Sequence, residues 1–328
     1  MDTPLGSPEN LLKTLDQTLS SYQFGSDPEE LYEPIRYIMA LGGKRMRPLL
    51  TLLSYSIFKE EPERIVKPAL AVEVFHNFTL MHDDIMDKAP IRRGKPTVHE
   101  KWNVNVAILS GDVMLVKAYD LLMNVPPALL KNCLEGFNIC AAQVCEGQQK
   151  DMNFEMRESV SEDEYLEMIE LKTAVLLGFS AELGGLLGGA DAGTCRLLRE
   201  FGLNIGIGFQ LMDDLLDVYA DPDKFGKQPG GDIVANKKTF LLIKALENSR
   251  GAQNELLWRW IRLSDFNPNE KVRAVRAIFD DLGIKELTEV KMNSYFNKAF
   301  SLLGEIRAPE VRKNKLAGYA QSLITRQS

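Results

Sequence analysis

Apolar residues return at three- and four-residue steps through most of the chain. That is the spacing of an amphipathic helix, not of a strand. The clearest stretch is 68–87, where Leu70, Ala71, Val74, Phe75, Phe78 and Met81 form an apolar stripe and Pro68 suits a first helical turn. The same pattern predicts helices over 9–21, 28–40, 48–58, 103–123, 127–152, 161–186, 193–220, 237–248, 253–263, 269–283, 285–304 and 309–326. Alternating β-branched runs bounded by turns do not recur, so the pattern predicts an all-α fold. Two stretches break it. Pro90 and Pro96 mark 88–97 (KAPIRRGKPT) as a basic loop, and 221–236 (DPDKFGKQPGGDIVAN) reads as a second loop rich in Gly and Asp. No composition shift marks a boundary, so 1–328 is read as one domain.

Composition narrows the class. The 328 residues are 45% hydrophobic and 26% charged, as in a soluble globular protein, and the net charge of −7 argues against a nucleic-acid partner. Four cysteines (Cys133, Cys140, Cys145, Cys195) contain no CxxC pair and read as thiols of a reducing compartment. No basic start followed by an apolar run opens the chain, and no run of ~18 uncharged apolar residues suggests a membrane span. A cytoplasmic location is expected. The apolar, Gly-rich stretch 174–190 is short and carries Glu182. It is expected to serve close helix packing, as is the Gly202–Gly206 pair. The basic run RKNK at 312–315 is read as a solvated tail.

Two acidic runs change the picture. Asp83, Asp84 and Asp87 form DDIMD, and Asp213, Asp214 and Asp217 form DDLLD, each on an apolar helix. Residues four apart share a helix face, so Asp83 and Asp87 point one way, as do Asp213 and Asp217. Like charges at that spacing repel and apolar surroundings raise their cost, so a cation is required. Mg²⁺ suits such a site, because it takes carboxylate oxygens while sharing its shell with water and substrate phosphates. The three histidines, His76, His82 and His99, fit no zinc spacing. One DDxxD alone is as readily a solvated helix end; two on separate apolar helices are harder to explain that way. Lys44, Arg45 and Arg47 in GGKRMRP, Arg92 and Arg93 after the first run, Lys172, Lys227 and Lys237 supply separated cations. Each alone reads as solvated surface; together with bound Mg²⁺ they suit a phosphorylated ligand. His76, Leu80, Asp83 and Asp87 step by four, three and four along one face, and Gln210 faces Asp213 and Asp214.

In order, GGKRMRP (42–48), EVFH (73–76), HDDIMDKAPIRRGKPTVH (82–99), GD (111–112), GQQKD (147–151), KTA (172–174), FQLMDDLLD (209–217) and GKQPGGDIVANKKT (226–239) resemble the trans-isoprenyl diphosphate synthases, or polyprenyl synthetases, over nearly the whole chain. The resemblance implies a single large helical bundle around a deep central cavity, of the isoprenoid synthase type, as a homodimer. It implies Mg²⁺-dependent head-to-tail condensation of isopentenyl diphosphate with an allylic diphosphate (dimethylallyl, geranyl or farnesyl), with three Mg²⁺ per site. Carried over by position, Asp83, Asp87 and Asp213 are metal ligands and Asp217 supports the second site. Arg92, Lys172, Lys227 and Lys237 contact the allylic diphosphate. Lys44, Arg47, His76 and Arg93 form the isopentenyl diphosphate site, and Thr173 and Gln210 line the carbocation. Asp84 and Asp214 complete the catalytic set. Ala235 and Asn236 stand where the family commonly has an acid and a glycine.

In this family, bulk just before the first cluster limits product length. Phe78 and Thr79 hold the fifth and fourth positions before Asp83, which implies a short product, geranylgeranyl diphosphate favoured over farnesyl. On the helical wheel Thr79 lies ~40° from Asp83 and Phe78 ~140°, so the pocket role of Phe78 rests on the resemblance. Two alternatives share the acidic motif: a class I terpene cyclase, whose second metal site usually mixes Asn, Ser or Thr with acids, and a non-catalytic subunit of another synthase, which usually lacks one cluster.

Overall fold

The computed structural model describes residues 6–220 and 230–325. In chain order the helices are α1 (Pro8–Ser21), α2 (Glu29–Ala40), α3 (Met46–Ser56), α4 (Val66–Met86), α5 (Val98–Lys101), α6 (Val104–Leu122), α7 (Pro127–Glu155), α8 (Glu162–Ile169), α9 (Val175–Gly188), α10 (Ala192–Tyr219), α11 (Gly231–Val234), α12 (Phe240–Asn248), α13 (Gly251–Arg262), α14 (Pro268–Asp281), α15 (Ile284–Glu305) and α16 (Glu310–Thr325). Local chemistry accounts for the starts. Ser7 caps α1 by accepting from the Asn10 amide at 3.3 Å. Asn103 caps α6 through the Val106 amide at 2.9 Å. Ser161 and Glu164 form a reciprocal capping box on α8.

The fold is all-α, as the periodicity predicts, with three local departures. The 88–97 loop contains a small antiparallel hairpin, β1 (Ile91–Arg92) with β2 (Lys95–Pro96). Arg93 (φ 51°) and Gly94 (φ 74°) occupy its turn, the positive-φ pair that matches strand twist. The predicted helix 161–186 is interrupted by a π turn over Glu170–Ala174, which carries Lys172 and Thr173. The described part of the 221–236 loop forms the short helix α11.

The chain divides into two compact units. One comprises Met1–Cys140, Leu176–Arg199 and Leu303–Ala320; the other comprises Ala141–Val175, Glu200–Leu302 and Gln321–Ser328. In the first, α4 packs most extensively on α6 and also on α3, burying Leu49, Leu52, Leu53, Ala69, Val72 and Val74 completely. Gly184 lies so close to α3 that a Cβ there would stand 2.2 Å from the Thr51 carbonyl oxygen. The Gly-rich stretch thus serves packing, as expected. The 27-residue run Glu162–Gly188 is apolar and long enough to cross a membrane by composition, but 72% of its apolar window is buried in the protein. The RKNK run is not a solvated tail: Lys313 is buried and donates to the Gly304 carbonyl at 3.2 Å, and Arg312 reaches Glu60 at 3.2 Å.

The second unit has its own core of Leu215, Val218, Ile233, Leu241, Leu242, Leu257, Val275, Ile278, Phe279 and Ile284. Here α14 supports α11: Val272 fills the space beside Gly230 (φ 94°), where a Cβ would lie 2.6 Å from the valine methyl carbon. Glycine is required there by both its backbone angle and the contact.

Candidate active site

The first acidic run closes α4. Asp83 and Asp84 lie in its last turn and Asp87 is the C-cap, its amide bonded to the Asp83 carbonyl at 2.8 Å. The three carboxylates are not equivalent. Asp84 is 2% exposed, and Arg92 grips it with Nε at 2.9 and 2.8 Å from the two oxygens and Nη2 at 2.8 Å. The hairpin makes this possible by folding β1 back onto the helix end. Thr97 ties the base of the hairpin, donating to the Ala89 carbonyl at 2.7 Å. Asp83 is half-buried and Asp87 exposed. These two are the pair that helical phase places on one face.

A cationic group sits in the same unit. Gly42 (φ 81°), Gly43 (φ 147°) and Arg45 (φ 47°) wind the segment between α2 and α3 tightly. Arg45 is buried, and donates to Glu73 at 2.8 Å, to Asp16 at 3.1 Å and to the Met39 carbonyl at 3.1 Å. Burial acts to lower its pKa, but Glu73 and Asp16 raise it overall. Asn77 donates to the Glu73 carboxylate as well. Arg93 packs over Gly43 and donates to the Gly42 carbonyl. Burial, and then Arg47, Arg93, Arg92 and Arg45, push His76 well below the ordinary histidine value. Arg47 is itself lowered by burial despite Glu73, and its Nε is buried without a hydrogen-bond partner. Lys44 is exposed on the same segment. Cations gathered this closely resist desolvation and one another, so an anion with several oxygens is their natural counterpart. The structure therefore brings Arg47, His76, Arg92 and Arg93 together. Arg45, read from the sequence as one of the cations for a phosphorylated ligand, is instead spent on Glu73, Asp16 and the Met39 carbonyl; Glu73, which opens EVFH, has no role in the sequence reading.

The second acidic run lies inside α10. Asp213 is exposed, Asp217 half-buried and Asp214 3% exposed. Tyr165 donates its hydroxyl to Asp214 Oδ2, and Gln210 Nε2 donates to Oδ1 at 3.3 Å. Thr173 donates to Gln210 Oε1 at 3.3 Å, so both predicted cation-lining residues belong to one chain of hydrogen bonds. Burial, and then Asp232, push Asp214 up to about 7, against the lowering effect of Tyr165, Lys237 and Gln210. Lys172 pairs with Asp151 at 2.6 Å. The π turn that presents Lys172 lies against α7 at Gly147, where a Cβ would stand 2.2 Å from the Lys172 amide nitrogen; this is the physical reason for glycine in GQQKD. Asp151, Tyr165, Lys172, Thr173, Gln210, Asp214 and Lys237 line one small cleft. Asp217 accepts from the Asp232 amide at 2.9 Å. Lys227 lies outside the described residues.

Among the described residues, no group of three or more His, Cys, Asp or Glu side chains is arranged to hold a metal unaided. Each acidic run instead offers two accessible carboxylates around a third that the protein holds. That donor set fits Mg²⁺, which keeps several waters and completes its shell with phosphate oxygens. It does not fit a closed structural site.

Phe78 is buried on α4, edge-on to His82 with ring centroids 4.7 Å apart and 5.6 Å from Phe75. Phe75 in turn meets Phe137 at 5.1 Å. The Thr79 hydroxyl is spent on the His76 carbonyl at 2.8 Å. His82 can approach α6 because Gly111 has no Cβ; one would stand 2.3 Å from His82 Nε2.

The polyprenyl synthetase family model matches residues 28–279. A geranylgeranyl diphosphate synthase of Methanosarcina mazei is 45% identical over 222 residues, covering 67% of this chain and 68% of that one. A solved geranylgeranyl pyrophosphate synthase superposes with a TM-score of 0.93 at 41% identity, with 100% of both chains covered. A solved polyprenyl synthase of Caulobacter crescentus, complexed with calcium and isoprenyl diphosphate, superposes at 0.83 with 28% identity, covering 97% of this chain and 98% of that one. Acidic helices that leave two carboxylates of each run accessible, beside gathered cations, are the equipment such enzymes need, and the chain belongs to the polyprenyl synthetase family, as a trans-prenyltransferase.

Proposed function

We propose that the chain condenses isopentenyl diphosphate head-to-tail with an allylic diphosphate to give a short all-trans product, geranylgeranyl diphosphate in preference to farnesyl. The observation that carries this reading is the division of labour within each acidic run. The middle aspartate is buried and held by protein partners, while the outer pair keeps surface exposed to a ligand, with Asp217 also taking the Asp232 amide. Asp83, Asp87 and Asp213, with Asp217 in support, would hold three Mg²⁺ per site. When bound, the metal supplies charge neutralisation on the departing diphosphate.

The chain's own residues do the rest. Lys172, Lys227, Lys237 and Arg92 bind the allylic diphosphate, and fixed cations act where charge develops as the C–O bond breaks. Asp84 fixes the orientation of the Arg92 guanidinium. Thr173 and Gln210, hydrogen-bonded to each other, present oxygens to the allylic cation, and the surrounding apolar side chains exclude water. Lys44, Arg47, His76 and Arg93 hold isopentenyl diphosphate so that its double bond attacks at close range. A new C–C bond forms, and the departing diphosphate accepts the proton then lost.

Partners and setting follow the same reading. A homodimer is supported by Leu109 and Val116 of α6 and Met123 at its C-cap, which are all exposed and recur at seven-residue steps. The four cysteines, none joined to another, are in keeping with a cytoplasmic location, and 1–328 is treated as one functional domain.

The test is a product profile of the purified chain with Mg²⁺ and labelled isopentenyl diphosphate, run with each allylic primer. An all-trans twenty-carbon diphosphate is expected. A cyclic hydrocarbon from one allylic substrate, or no incorporation by the chain alone, would overturn the reading. Phe78→Ala should lengthen the product; an unchanged profile on chromatography would leave Phe78 a packing residue only.

A further inference from the structure

Lys271 is the most unusual charged residue of the second unit. It lies on α14 at 1% exposure, among the largest fully buried side chains. Among the described residues no carboxylate is a hydrogen-bond partner: Nζ donates to Asn236 Oδ1 at 2.7 Å and to the Val234 carbonyl at 3.2 Å, and lies 4.2 Å from the centre of the Phe266 ring. Burying an ammonium group is costly, and burial lowers its pKa. An apolar side chain would pack this position more cheaply.

What Lys271 grips explains its presence. Val234 ends α11, and its carbonyl is one that the helix leaves unpaired. Asn236 stands in the left-handed region at φ 54°, and its amide also donates to the Ile261 carbonyl at 3.0 Å. The next residue is Lys237, whose amide bonds the Asp232 carbonyl at 2.9 Å. The Asp232 amide in turn donates to Asp217. One buried ammonium thus ties down a segment that touches the second acidic run at one end and carries Lys237 into the cleft of Lys172, Thr173, Gln210 and Asp214 at the other.

We propose that Lys271 is a positioning residue: by holding Val234 and Asn236 from beneath, it keeps Lys237 aimed at the diphosphate of the allylic substrate. This rests on the function proposed above. It also gives Asn236 a reason in a place where the family commonly has glycine, because the side chain that tolerates the left-handed backbone is the one that accepts from Lys271.

The test separates this role from plain core support. Lys271→Met keeps the length and removes the charge. The KM for the allylic diphosphate should rise about tenfold while the KM for isopentenyl diphosphate changes less than twofold. Lys271→Arg, which can donate to both oxygens, should restore most of the loss. Asn236→Gly accommodates φ 54° without strain and removes the acceptor, so it should reproduce the effect at about threefold even if Lys271→Met folds poorly. In a Lys237→Ala background, Lys271→Met should add less than twofold. Calorimetry with inorganic pyrophosphate and Mg²⁺ should follow the same order independently of turnover. Equal rises in both KM values, an additive double variant, or unchanged pyrophosphate binding would each overturn the proposal. A wild-type chain that forms no prenyl diphosphate but shows the pyrophosphate pattern would sink the proposed function and leave the positioning role standing.

Discussion

The two acidic runs share a spacing and solve the same electrostatic problem differently. In DDIMD the buried middle carboxylate is matched by a full positive charge, Arg92, delivered by a hairpin eight residues on. In DDLLD it is matched by neutral donors, the Tyr165 hydroxyl and the Gln210 amide, and its pKa rises to about 7. Both runs lie near the C-terminal end of their helices, and what differs is the partner each middle carboxylate meets. After α4 the chain doubles back in a hairpin and brings a cation to Asp84. The partners of Asp214 come instead from the preceding turn of α10 and from α8. The outer aspartates remain accessible in both runs, which separates holding the run in place from offering it to a ligand.

That separation can be broken experimentally. The largest effect should come from the outer positions. Asp83→Ala and Asp213→Ala should each lower turnover by roughly a thousandfold, the scale set by removing a group that stabilises transition-state charge, with circular dichroism and thermal midpoint close to the parent. Full activity in either variant would mean that its run does not serve the metal. The middle positions should show the opposite signature, in stability. Asp84→Asn leaves Arg92 without its partner and should cost about 2 kcal/mol in urea denaturation. That is below the range for a fully buried pair, because the Arg92 side chain is 26% exposed. Asp214→Asn keeps an acceptor for Tyr165 and loses about one neutral hydrogen bond, about 1 kcal/mol. Equal costs would erase the contrast between charged and neutral partners.

The smallest effect is the share of the pH dependence that His76 adds in the first unit, opposite in sign to that of Asp214, held up at about 7 in the second. His76 is held well below its ordinary value by burial and by Arg47, Arg93, Arg92 and Arg45. The unfolded chain takes up a proton near pH 6.5 that His76 refuses in the folded chain, so its contribution to stability falls as pH drops from 6.5 towards the depressed folded value. His76→Gln should flatten that slope in denaturation measured between pH 7 and 5. A slope identical to the parent's would place the pH sensitivity elsewhere.

Much of this was legible without coordinates. The three- and four-residue periodicity marks the long helices, because burial of one face is a local, repeating requirement. Spacing alone identifies the acidic runs, and the resemblance to a known family identifies GGKRMRP and the KTA landmark. What escapes is whatever depends on a partner distant in the chain. Tyr165 is 49 residues from Asp214, Glu73 is 28 from Arg45 and Lys271 is 35 from Asn236; each reads as an ordinary tyrosine, glutamate or lysine until the fold places it. The π turn at Lys172–Thr173 escapes for another reason: one wider turn barely disturbs an apolar stripe. The glycines of GQQKD and GD were visible as letters, but only the 2.2 and 2.3 Å approaches of Lys172 and His82 say why a side chain cannot stand there.

The sequence by itself therefore determined the helical class, the paired carboxylates and the kind of ligand they want, because these follow from periodicity and from charge density along the chain. Only the tertiary structure decided which aspartate of each triplet is buried and which two keep exposed surface. That choice is made by burial and by hydrogen-bond partners from other helices and a returning hairpin, and neither is encoded in the spacing of the triplet itself.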